Sequence, residues 1–149
     1  MTWIVILNSN ECRIFSFSKK NKKLNLIKEI YHPENKKKDA DLVSDKPGHY
    51  NTNSQSGGAY SQHTDPKDVK IAQFILEIDK LLDEGRTHQQ YEKLIVIAPP
   101  KIEGHLMQHM NKNVEKLITQ RIQKDVVFLK EHELLNFLMQ ECKNHFLSD

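Results

Sequence analysis

The opening stretch decides the fold: Trp3-Ile4-Val5-Ile6-Leu7, the break Asn8-Ser9-Asn10, then Cys12-Arg13-Ile14-Phe15-Ser16-Phe17. Trp3 to Leu7 is short, apolar and rich in β-branched residues, which predicts a buried strand. Asn8-Ser9-Asn10 supplies turn chemistry. Cys12 to Phe17 alternates in type and reads as a second, partly exposed strand. Lys19, Lys20, Asn21, Lys22 and Lys23 make the next turn. Leu24, Leu26, Ile27, Ile30 and Tyr31 give a third strand. Turns this short favour antiparallel neighbours, so the three strands form a meander.

The rest of the chain changes period. From residue 32 to 64 there are roughly 33 residues with little periodicity. Asp65 is then set to cap a helix that Pro66 opens. Ile71, Phe74, Ile75, Ile78, Leu81 and Leu82 form one apolar stripe, with Gly85 as its expected stop. Leu94-Ile95-Val96-Ile97-Ala98 is a buried strand ended by Pro99-Pro100. Leu106, Met107, Met110, Val114, Leu117 and Ile118 make a second helical stripe, bent near Asn111. Val126-Val127-Phe128-Leu129 reads as the fifth strand. Leu134, Leu135, Leu138, Cys142 and Phe146 mark the final helix. The order β-β-β-α-β-α-β-α predicts an α/β fold. Its five-stranded mixed sheet carries helices on both faces, and the fourth strand runs parallel to the first. That is the strand–helix order of the ribonuclease H-like arrangement.

At 149 residues the chain is expected to be one domain, 1–149, with a flexible polar loop at about 32–64. No apolar run reaches the ~20 residues of a membrane helix, so no membrane insertion is expected. No charged-then-apolar leader is visible and the two cysteines build no disulfide framework, so the expected location is cytoplasmic. The net charge of +2 conceals an asymmetry. Residues 1–38 hold 9 basic and 3 acidic side chains, and the remainder holds 13 and 17. Clustered lysine attracts phosphate backbones or anionic lipid. It also serves simply to keep a hairpin tip soluble.

Familiar catalytic patterns are missing. Two-metal nuclease chemistry needs carboxylates, one of them along the first strand, and Trp3 to Leu7 contains none. His105 and His109 share a helix face near Glu103. The spacing lacks the His-Glu-x-x-His pattern, and no metal or cofactor is expected. Cys12 and Cys142 read as small buried hydrophobes rather than nucleophiles. No P-loop, Gly-x-Ser-x-Gly or Gly-x-Gly-x-x-Gly occurs.

The polar loop is the informative segment. It contains Lys36, Lys37 and Lys38, then Asp41-Leu42-Val43-Ser44-Asp45-Lys46-Pro47-Gly48, then Gly57-Gly58. His49, Tyr50, Tyr60 and His63 are interspersed. Its low hydrophobicity does not offset ordering entropy. Asp45-Lys46-Pro47-Gly48 suits a turn, and Leu42-Val43 is an apolar foothold. Lysine meets phosphate and rings stack on bases, so the composition suits RNA contact. A tolerated surface insertion would look similar.

In this order, Thr2-Trp3-Ile4-Val5, Cys12-Arg13-Ile14-Phe15, Lys38-Asp39 with the 41–48 run, Thr64-Asp65-Pro66-Lys67 and Ile97-Ala98-Pro99-Pro100 span nearly the whole chain. Together they resemble the bacterial host-attachment proteins, a family grouped with bacterial relatives of the middle domain of archaeal and eukaryotic peptide-chain release factors. The resemblance implies the fold already reached from strand order. It also implies a functional loop before the first long helix, where release factors carry a Gly-Gly-Gln tripeptide. The matching place here holds Gly57-Gly58-Ala59, with Gln55 and Gln62 out of register.

The expectation is a release-factor-like domain contacting tRNA or the ribosome through the 32–66 loop and the N-terminal lysines. Lys36, Lys37, Lys38, Asp41, Ser44, Asp45, Lys46, Gly48, Gly57 and Gly58 are its binding residues. One alternative is a non-enzymatic attachment or protein-binding module. A second is a peptidyl-tRNA-type hydrolase using Gly57-Gly58 with His49 or His63. The altered tripeptide argues against an enzyme.

Overall fold

Period-two side chains sort the first strand onto two faces, and everything else packs on one or the other. The computed structural model describes the backbone of residues 1–32 and 66–142 and the side chains of 1–32 and 69–142. In chain order the elements are β1 (Thr2–Leu7), β2 (Glu11–Ser18), β3 (Lys23–Tyr31), α1 (Pro66–Thr87) and β4 (Lys93–Ile97), then α2 (Pro100–His109), α3 (Lys112–Glu115), β5 (Ile118–Ile122) and α4 (Glu131–Glu141). The five strands form one sheet in the order β3-β2-β1-β4-β5. β1 and β2 pair antiparallel, as do β2 and β3, which is the expected meander. β4 runs parallel to β1, and β5 parallel to β4.

Trp3, Val5 and Leu7 point to the face covered by α1, α2 and α3, where Phe74, Ile78, Leu82 and Leu106 are buried. Ile4 and Ile6 point to the other face, under α4 with Leu134 and Leu138. A central strand apolar on both sides is the composition a doubly covered sheet requires.

Three sequence expectations are corrected. The fifth strand is Ile118–Ile122 and not 126–129. Ile118, Gln120 and Ile122 share one face of a strand, a period-two signal hidden because Ile118 also fits the preceding helical stripe. Residues 126–129 are apolar because they cover the second face, where Val127 is buried. Their turn is held by Arg13, whose Nη1 donates to the Val127 and Leu129 carbonyls at 3.0 and 2.8 Å.

The second helical stripe is two helices and a strand. α2 ends at His109, and Asn111 caps α3 by accepting from the Asn113 N–H at 2.7 Å. An Asn at that position satisfies a first-turn donor better than a continued helix would.

Gly85 does not stop α1. The helix continues to Thr87 and closes with a Schellman pair, Gln90 N–H to Gly85 C=O and Gln89 N–H to Arg86 C=O. The left-handed residue is Gln89, at φ 55°. Gly85 is small for a different reason: a Cβ there would lie 2.5 Å from Trp3 Cη2. The proposed cap Asp65 and the final apolar residue Phe146 lie outside the described residues, as does the loop expected at about 32–64 apart from His32.

The carboxyl edge as candidate functional site

β3 is antiparallel to β2 and therefore points the same way as β1, β4 and β5. Four of the five strands thus end at one edge of the sheet. In open α/β sheets, ligands bind at that carboxyl edge, because the strands' connections diverge there.

The edge is built from three short connections. After β1, Asn8 Oδ1 accepts from the Asn10 and Glu11 N–H groups at 2.8 and 3.1 Å. Its Nδ2 donates across to Asp125 Oδ1 at 3.2 Å, tying the β1 turn to the segment after β5. After β4, Pro99-Pro100 open α2, whose first turn carries Glu103. After β5, Lys124 pairs with Glu141 at 3.0 Å, closing α4 onto the same edge.

Glu103 is the most unusual side chain here, a carboxylate that is 2% exposed. It pairs with Arg121 Nε and accepts from Gln123 Nε2 at 3.3 Å. The Arg121 hydrogen bond holds its carboxyl below the ordinary value of 4.5, against the opposing effect of burial. The Arg121 guanidinium is about half exposed. A lowered folded pKa stabilises the fold above the ordinary carboxylate range and is lost as pH falls through the lowered value. A Glu103→Gln chain is therefore expected to be less stable than wild type at pH 7 and to converge with it in acid, as pH falls through the lowered Glu103 value. Urea titrations at both pH values read the difference, and a gap that persists in acid would refute the assignment.

The flanks of the polar segment belong to this edge. His32 follows β3, donates its N–H to the Asn10 carbonyl at 2.8 Å, and sets its ring 5.5 Å from Phe74. α1 returns from the same side. From Gly85, beside Trp3, back to Pro66 the helix rises about 28 Å, whereas Trp3 to Leu7 spans about 13 Å. The first turns of α1 thus extend past the strand ends.

The expected binding residues, Lys36, Lys37, Lys38, Asp41, Ser44, Asp45, Lys46, Gly48, Gly57 and Gly58, lie outside the described residues. The other N-terminal lysines do not join the carboxyl edge. Lys19, Lys20, Lys22 and Lys23 sit in or beside the β2–β3 turn, closed by the Lys22 N–H to Ser18 C=O bond at 2.7 Å. That turn is at the opposite end of β3, about 26 Å from Tyr31. Four of the nine basic side chains of residues 1–38 therefore sit at the end of β3 remote from the carboxyl edge. At the described carboxyl edge the charges are mixed, with Arg121 on Glu103 and Lys124 on Glu141.

Other candidate groups resolve simply. Among the described residues, no three His, Cys, Asp or Glu side chains are arranged to hold a metal ion. His109 Nδ1 contacts the His105 carbonyl at 3.1 Å, an ordinary helix-end bond. Cys12 and Cys142 are buried on opposite faces of the sheet. Burial raises the Cys12 thiol strongly and pushes Cys142 up to about 11, so neither is a thiolate at neutral pH. Sequence reasoning misses Glu103–Arg121–Gln123, since Arg121 is 18 positions from Glu103 and the sequence pattern places the fifth strand at 126–129. Among the described residues, no helix is long and apolar enough to cross a membrane.

The class defined by this architecture is an α/β domain with a mixed five-stranded sheet and helices on both faces. Within that class the chain belongs to the family described as "Protein required for attachment to host cells", which matches residues 3–138. It is 32% identical over 80 residues to an uncharacterized protein of Rickettsia prowazekii (strain Madrid E), covering 52% of this chain and 53% of that protein. It is similar in fold to a solved structure described as an "Archaeal protein", with a TM-score of 0.54 at 12% identity over 98% of this chain. The chain spans about half the length of the first relative and about a third of the second.

Proposed function

We propose that the chain is a release-factor-like domain with a ribonuclease H-like sheet that contacts RNA, as tRNA or ribosome, without catalysing a reaction. The observation that carries this reading is the convergence of both flanks of the 33–65 segment, His32 and α1, on the carboxyl edge. The order β3-β2-β1-β4-β5, with β2 alone antiparallel, agrees with the ribonuclease H-like arrangement and supports the kinship. In this reading Lys36, Lys37, Lys38 and Lys46 meet phosphates. Asp41, Ser44, Asp45 and Gly48 shape the turn that presents them, and Gly57 and Gly58 allow close backbone approach. Peptidyl-tRNA hydrolysis is not part of the proposal, because Ala59 stands where the Gln would be.

Four lysine–phosphate contacts imply an affinity that falls about 50–150-fold between 50 and 200 mM salt. Co-sedimentation with ribosomes across that range tests it. Pelleting at 50 mM that is lost at 200 mM is expected, with a shallower slope for a Lys36/Lys37/Lys38→Ala chain. No pelleting at 50 mM would sink the reading.

The family description favours a second reading, a protein-binding attachment module using the same segment. Recovery of the protein from the extracellular fraction of its cells would support that reading, and strict retention inside them would oppose it.

A further inference from the structure

The two edges of the sheet differ in what lies beside them. Next to edge strand β3, on the face covered by α1, there is an open cleft of about 330 Å³ between the strand and the last turns of the helix. Trp3 and Ile14 form its floor, with Ile27 on the strand side and Leu81 on the helix side. Lys28 and Glu84 stand at the mouth. The volume accepts one large apolar side chain between the apolar walls, and His88 and Gln90 complete the lining.

A β-bulge arranges the strand side. Ile14 pairs with Lys28 and Phe15 with Leu26, leaving Ile27 as the extra residue. Regular alternation would send Ile27 and Lys28 to opposite faces. The bulge lets both border the cleft. Ile27 is 42% exposed. Among the described residues, Lys28 has no ion pair and β3 is an edge strand paired with β2.

We propose that this cleft docks an extended peptide of a partner protein. The peptide adds a strand to β3, inserts one large apolar side chain between Ile27 and Leu81, and sets an acidic residue against Lys28. Main-chain pairing supplies affinity, and the apolar slot with its neighbouring cation supplies specificity. Charge selects this occupant over a second copy. Two β3 strands related by a two-fold axis pair residues whose numbers add to an even sum where both lie on one side of the bulge. Lys28 then faces only Lys28, Ile30 or His32 on its own side of the bulge, or Asn25 or Lys23 beyond it, none of them acidic. The inference is independent of the RNA reading and uses a different edge of the molecule.

Selection of a displayed library of random decapeptides against the full chain tests it. The enriched peptides should share a large apolar residue with Asp or Glu within two positions, and one such synthetic peptide should slow amide exchange along β3. Leu81→Trp fills the cleft and should weaken that peptide at least tenfold. Lys28→Glu, an exposed change that leaves the fold intact, should shift preference from acidic to basic peptides. The proposal fails if no peptide enriches, if the apolar–acidic pair is absent, or if Lys28→Glu leaves preference unchanged. It also fails if protection of β3 appears without peptide and rises with protein concentration, which marks a second copy.

Discussion

Replacing Trp3 with Ala is expected to lower folding stability by about 3–5 kcal/mol, the usual cost of deleting a large aromatic from a core. Trp3 is 5% exposed and stacks on Tyr91, with ring centroids 4.6 Å apart. Tyr91 in turn donates its hydroxyl to the Leu82 carbonyl at 2.6 Å, so the two rings fasten the end of α1 to the start of β1. Gly85 completes the arrangement by having no side chain. In wild type, Gly85→Ala should destabilise by up to about 2 kcal/mol. Its helix-propensity gain of about 1 kcal/mol is smaller than the ~1–3 kcal/mol of overpacking against Trp3. In the Trp3→Ala background the clash is gone and the same substitution should be neutral or stabilising. Chemical denaturation of the four chains gives the cycle, and additive effects would show that Gly85 and Trp3 do not act together.

Arg13→Ala is expected to cost about 2–4 kcal/mol, from two charge-assisted hydrogen bonds lost at a partly buried site. Its guanidinium bridges the Val127 and Leu129 carbonyls, lies 5.1 Å from the Phe15 ring centroid, and meets Glu29 at 3.7 Å. The long Glu29 contact leaves the buried Nε without a hydrogen bond, which offsets part of the gain. Arg13→Lys carries the charge without the planar fork and should recover less than half. Urea denaturation reads the loss. Amide exchange should rise selectively around residues 127–129, and an equal rise across β1 would contradict the local role.

Both residues stand in segments that carry the family resemblance, Thr2-Trp3-Ile4-Val5 and Cys12-Arg13-Ile14-Phe15. Recognising the segments did not reveal the roles. Trp3 acts on a glycine 82 positions away, and Arg13 holds a turn 114 to 116 positions away. Pattern reading reached the meander, α1, β4 and the final helix because each has a period of its own. It failed between 100 and 130. There, short elements share apolar residues, and strand and cover are told apart only by pairing: 118–122 pairs with β4, while Val127 is buried on the second face.

By itself the sequence determined the sheet class, the parallel placement of β4 on β1, and the burial of both cysteines. Those outcomes depend on local periodicity and connection length. The tertiary structure alone decided that Lys19, Lys20, Lys22 and Lys23 lie at the end of β3 away from the carboxyl edge, since net charge carries no direction. It also decided that Glu103 is buried on Arg121 and that a bulge turns Ile27 and Lys28 toward one cleft. Each of these needs the distance between residues far apart in the chain, which is fixed only when the strands pair.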